Sequence, residues 1–178
     1  MTRPRLSRGQ IISKLPSGTS FPCIVGIRGY FKDEFGKKGV NDRGVYDDAI
    51  YIVEANLAFA FNGNTDPSRH GMNHKIGKGL ASLKAGKYEY KIGIHGVSKE
   101  KSKQYEALVQ EETVTVKRDV TETEHKGFFG INIHKGGFNT TSSEGCQTIH
   151  PSQWDEFMTL VKAYFPSGKN IPYILIEN

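Results

Sequence analysis

The sequence predicts a single, mainly β domain with one helix placed after Cys146. Three observations point there. Apolar residues alternate with polar or small ones in short runs, most plainly in Lys87-Tyr-Glu-Tyr-Lys-Ile-Gly-Ile-His95, where Tyr88, Tyr90, Ile92 and Ile94 share a face. The 20 glycines divide the chain by turns rather than long helices. Only Ser152 to Phe165 repeats its apolar residues at spacings of three and four. At 178 residues the chain suits one domain, which can bury about two thirds of its unfolded surface.

Residues 1–20 read as an N-terminal arm and 21–178 as the domain. The arm has a short helical turn at Ser7–Leu15, ended by Pro16-Ser-Gly-Thr-Ser. Residues 21–31 form an apolar strand, and Gly36 to Gly44 a polar loop. Residues 46–54 and 57–62 make two strands joined at Ala55-Asn56, followed by the turn cluster Gly63-Asn-Thr-Asp-Pro-Ser. A loop bearing Gly and His covers 70–79, and the alternating strand follows. Residues 97–104 are a charged loop. Residues 105–118 hold a strand or hairpin arm, with Thr113-Val-Thr-Val rich in β-branched residues. Residues 127–134 make a further strand. The helix takes Ser152 as N-cap with Asp155 three residues on, turns Trp154, Phe157, Met158 and Val161 to the core, and ends at Pro166-Ser-Gly168. Residues 171–176 close the chain as a strand.

Twenty-four Lys and Arg against 19 Asp and Glu leave a net charge of +5, unevenly spread. Residues 1–32 carry six basic groups and no acid; residues 67–103 carry nine against Glu89 and Glu100. A basic face attracts anionic partners, such as a cell-wall polymer, or serves solubility alone. No zinc-finger, RRM or helix-turn-helix pattern accompanies the charge, so nucleic acid is not an expected partner. No apolar window approaches the roughly 18 residues of a membrane span. The charged start Met1-Thr-Arg-Pro-Arg lacks the apolar run of a Sec signal, which leads to the expectation of a protein made in the cytoplasm.

Two cysteines, Cys23 and Cys146, lie 123 positions apart and form no CxxC pair. Cys23 sits in the apolar run Phe21-Pro-Cys-Ile-Val and reads as a small core residue. Cys146 sits among small polar residues, where a thiol needs a purpose. Eleven residues before it, counted between the two, stands His134 at the end of an apolar strand. A thiol is a nucleophile only as its thiolate, and a neighbouring imidazole can take the proton and later give it to a leaving amine. Gly145 permits a tight turn whose N–H groups can face an oxyanion. Chance placement of one His near one Cys is the bland alternative. Zinc is another, with His134 and Cys146 joined by His70, His74 or His150.

The run Ile131-Asn-Ile-His134-Lys-Gly136-Gly, then Ser143-Glu-Gly145-Cys146-Gln147-Thr148 ahead of a helix, resembles the L,D-transpeptidase catalytic domain. That family places Ser-His-Gly-Cys-Ile-Arg after an Ile-x-Ile-His-Gly-like strand end. The resemblance covers residues 128–165. It implies Cys146 as nucleophile, His134 as its base, Ser143 and Gly145 as motif residues, and Gly136, Gln147 and Thr148 beside the substrate. It also implies a β-rich L,D-transpeptidase-like domain acting on peptidoglycan stem peptides without a cofactor, by crosslinking or by cleavage. Glu144 stands where the motif has His, and Thr148 where it has Arg. Arg28, mid-strand between Ile27 and Gly29, is a candidate replacement for that Arg, and His95 a candidate cleft residue. The short, basic chain also resembles phage-encoded or effector-type wall enzymes, which act at the wall after lysis or delivery. A wall-binding or virion module without activity, or a zinc wall hydrolase, are the other functions open at this point.

Overall fold

The computed structural model describes residues 1–71 and 77–178. Its centre is a closed barrel of eight strands: β1 (Cys23–Arg28), β2 (Asp48–Val53), β3 (Ala58–Asn64), β5 (Gly86–His95), β6 (Tyr105–Gln110), β9 (Ile133–Lys135), β10 (Gln147–Ile149) and β11 (Ile171–Glu177). The order around the barrel is β1-β11-β5-β6-β9-β10-β3-β2. A second sheet has β7 (Val114–Arg118) between β4 (Ala81–Leu83) and β8 (Glu124–Gly127). Most barrel contacts are antiparallel, but β1 runs parallel to β11, and β9 parallel to β10.

The alternation of each strand sorts residues between two cores. On β1, Ile24 faces one cluster while Cys23, Val25 and Ile27 face another; on β2, Ile50 and Ile52 oppose Ala49, Tyr51 and Val53. The larger cluster receives the apolar face of α2 (Trp154–Tyr164), with Phe157 edge-on to Phe61 at 5.2 Å between ring centres. The smaller cluster is covered by the arm, through fully buried Ile11 on α1 (Arg8–Ile12). Ser7 and Gln10 close a capping box on that single turn of helix.

Several expected elements take a different form. The 105–118 arm is not a hairpin: β6 joins the barrel and β7 the second sheet. The expected 127–134 strand shrinks to β9, because Gly130 adopts a left-handed φ of 69° and breaks the run. The helix begins later than Ser152. Pro151–Gln153 is a 3-10 turn whose Ser152 N–H is capped by His150, and Gln153 precedes α2 without a side-chain cap. The Ser152–Asp155 capping box is therefore absent. Strands β4, β8 and β10 were not expected, being too short or too polar to show a period.

Candidate active site

Parallel pairing of β9 and β10 sets Thr148 beside His134 and Gln147 beside Ile133. Register partners in a parallel pair point to the same side of the sheet. Ile133 and Ile149 belong to the inner cluster, so His134 and Thr148 lie on the outer face. Cys146, two residues before Thr148, reaches the outer face as well.

The turn that delivers Cys146 is built by its neighbours. Ser143 Oγ donates to the Cys146 carbonyl at 2.6 Å and accepts from the Gly145 N–H at 2.9 Å. A Cβ on Gly145 would stand 2.7 Å from the Ala81 carbonyl oxygen, so only glycine lets this turn lie against β4. From inside the barrel, Gln147 donates to the Gly145 carbonyl at 3.4 Å and accepts from the Tyr173 hydroxyl at 3.1 Å.

Cys146 and His134 open into one cleft of about 600 Å³, shared with His95, Arg69, Lys99 and Glu144. The thiol donates to the Gly130 carbonyl at 3.2 Å and accepts from the Asn132 N–H at 3.4 Å. It makes no hydrogen bond to His134. The His134 Nδ1 lies 2.8 Å from the Lys135 carbonyl. A carbonyl can only accept, so Nδ1 carries the proton and Nε2 keeps a lone pair. Tyr105 supports this arrangement, donating its hydroxyl to the same carbonyl at 3.2 Å. His95 stacks on His134 with ring centres 4.1 Å apart. Burial, then His95, lower the His134 pKa to about 4; burial pushes the Cys146 thiol up to about 11. At neutral pH the resting pair is a thiol and a neutral imidazole rather than an ion pair. In that state the imidazole keeps an unprotonated nitrogen and the thiol keeps its proton.

The chain matches no protein-family model, no curated protein and no solved structure. The site therefore stands on its own geometry.

Of the residues read from the sequence, Cys146, His134, His95 and Ser143 meet in the cleft. Five others do not line it. Arg28 is not a replacement for the motif Arg: its guanidinium donates to the Thr65 and Leu83 carbonyls, each at 2.8 Å, and pairs with Asp66 at 3.2 Å. These bonds tie β1 to the segments after β3 and at β4. Gln147 is fully buried and faces inward, so it anchors the turn instead of meeting substrate. Thr148 is fully buried beside His134. Gly136 donates to the Ile149 carbonyl at 3.0 Å, and the Tyr46 hydroxyl fills the space a side chain would need. The Gly145 N–H is held by Ser143, so it does not serve an oxyanion.

Glu144, read from the sequence as a departure from the motif, lines the cleft, and Arg69 and Lys99, which were not singled out by sequence, join it there. Arg69 and Lys99 come from two separate loops, after β3 and after β5, and their shared location is a property of the fold. Among the described residues no group of three or more His, Cys, Asp or Glu side chains is arranged to hold a metal. The zinc alternative's His74 lies outside the described residues. No described helix is long and apolar enough to cross a membrane.

Proposed function

We propose that this protein is a cysteine-dependent acyl transferase or peptidase acting on peptidoglycan stem peptides, in the manner of an L,D-transpeptidase. The Cys146 thiol turns from Gly130 and its sulfur attacks an amide carbonyl carbon. His134 Nε2 takes the thiol proton. The C–N bond breaks, the amine leaves with that proton, and a thioester remains. An amine then receives the acyl group, giving a crosslink, or water receives it, giving cleavage; either restores the thiol. The observation that carries the reading is a cysteine at the turn leading into β10 and a lone-pair-bearing imidazole on the neighbouring β9, open to one cleft. Arg69 and Lys99 add positive charge to that cleft, where a stem-peptide carboxylate would sit. They offer what the missing motif Arg would otherwise supply. The protein acts at the wall, reached through lysis or a secretion machine.

Mass spectrometry of muropeptides incubated with the protein tests this. Product masses distinguish crosslinking, exchange and cleavage, and Cys146→Ala is expected to abolish all three while leaving the fold intact. Salt-sensitive binding to sacculi without any turnover would instead mark a wall-binding module.

A further inference from the structure

The cleft contains a second imidazole whose proton position is also fixed by its neighbours. The Gln110 N–H donates to Asn132 Oδ1 at 3.1 Å. A backbone N–H can only donate, so this bond orients the Asn132 amide without ambiguity. Its Nδ2 then faces His95 Nδ1 at 3.1 Å and donates to it. His95 Nδ1 is therefore an acceptor, and the proton of the neutral ring resides on Nε2. Burial and the nearby Lys99 ammonium both favour the neutral ring. The two stacked rings thus hold opposite tautomers. His134 offers a lone pair at Nε2, and His95 offers an N–H at Nε2.

Acyl transfer at Cys146 needs a donor for the developing oxyanion, and the Gly145 N–H is already bound to Ser143. We propose that His95, held in its Nε2–H form by Asn132, is a catalytic residue that donates a hydrogen bond to the oxyanion formed when Cys146 attacks an acyl carbon. This inference rests on the acyl-transfer reading above. As the sulfur–carbon bond forms, the carbonyl π pair moves onto oxygen, and the His95 N–H binds that oxygen without transferring its proton. As the oxyanion collapses, the bond to the leaving group breaks, and that group departs with the proton His134 took from the thiol. Asn132 is a positioning residue: it touches the ring, not the substrate. It links the His95 imidazole to the thiol, because its own N–H is the donor to Cys146 Sγ.

The test uses the full chain and p-nitrophenyl acetate, an acyl donor that does not depend on wall chemistry. Nitrophenolate release measures acylation of Cys146. His95→Ala is expected to slow it on the order of 100-fold, as for loss of one oxyanion donor. His95→Gln, which keeps an N–H, is expected to recover much of that rate. Nitrogen-15 NMR of the imidazoles is expected to show His95 as the Nε2–H form and His134 as the Nδ1–H form. In Asn132→Asp the carboxylate accepts from His95, so the ring is expected to switch to Nδ1–H and acylation to fall. Equal rates for wild type and folded His95→Ala, or a wild-type His95 protonated at Nδ1, would overturn the assignment while leaving the Cys146 chemistry standing. A wild-type protein that never acylates at Cys146 would sink the acyl-transfer reading, and this inference with it.

Discussion

Ser143 shows how one side chain can shape the turn that carries a cysteine. Its hydroxyl satisfies both the Gly145 N–H and the Cys146 carbonyl. Ser143→Ala leaves those two groups without their partner, which costs roughly 1–3 kcal/mol for a buried site. Urea denaturation should register that loss, and muropeptide turnover should fall because the turn carrying Cys146 loosens. Gly145→Ala drives a Cβ into a backbone carbonyl that cannot yield, with an expected cost of about 1–3 kcal/mol. The thiol itself makes a different prediction. With its pKa near 11, Cys146 should show no thiolate plateau at acidic or neutral pH. Iodoacetamide alkylation, followed at Cys146 by mass spectrometry, should climb about tenfold per pH unit from about pH 6 to 9. A plateau in the acidic range would reveal an ion pair with His134. The shared cleft of Cys146 and His134 was legible in the sequence because a His ending an apolar strand and a Gly-Cys turn are local patterns. Arg69 and Lys99 were not, since nothing local ties a loop after β3 and a loop after β5 to residue 146. Gln147 misled for a related reason: its neighbour Cys146 faces outward, so strand alternation turns Gln147 inward.

Strands with a clear period of two were the readable elements. β5 carries it over ten residues, and β2, β3 and β11 lie where alternating or apolar runs placed them. Three-residue strands such as β4 and β10 are too short to carry a period, and only partners distant in sequence define them. The arm is the most instructive case. Sequence separates it from the domain, yet its helical turn covers the outer faces of β1 and β2, where every β2 residue is buried. That cover explains why β1 and β2 are apolar on both faces rather than alternating cleanly. Ile11 is the centre of the contact. Ile11→Ala is expected to cost on the order of 2–5 kcal/mol by leaving a cavity under α1. Ile12→Ala, on the less buried side of the same turn, should cost clearly less. Equal midpoints for the two variants in urea would mean that the arm is not part of the cooperative fold. The Arg3–Glu156 pair between arm and α2 is largely exposed and adds little by comparison.

Closing the barrel places several ionisable groups out of water, and their opposing shifts make stability depend on pH in a particular way. Asp47 is fully buried beside Asp48, with only the Asp42 N–H bound to Oδ2 at 2.7 Å and no partner for Oδ1 among the described residues. Burial, then Asp48, raise its pKa to about 7. Asp48 is raised to about 6 by burial and by Asp66. The native state therefore holds these carboxyl protons more tightly than the unfolded chain, and stability falls as pH rises through the folded values. His134 acts the other way. Its folded pKa of about 4 lies below the 6.5 of a free imidazole, so the unfolded state binds a proton first and stability falls as pH drops from 6.5 towards 4. Between those limits the contributions oppose each other. At pH 6.5 the unfolded imidazole is still half protonated, so the histidine contribution is complete only near pH 8; over the same interval Asp48 has largely ionised and Asp47 is still titrating. Urea unfolding of the wild type should therefore lose about 0.5 kcal/mol between about pH 6.5 and 8. Asp47→Asn, which keeps the acceptor for the Asp42 N–H and cannot ionise, should remove that slope and leave the acid-side loss due to His134 unchanged. A wild-type protein whose stability stays level across that interval would mean that Asp47 is ionised throughout, its charge balanced by groups the barrel brings to it.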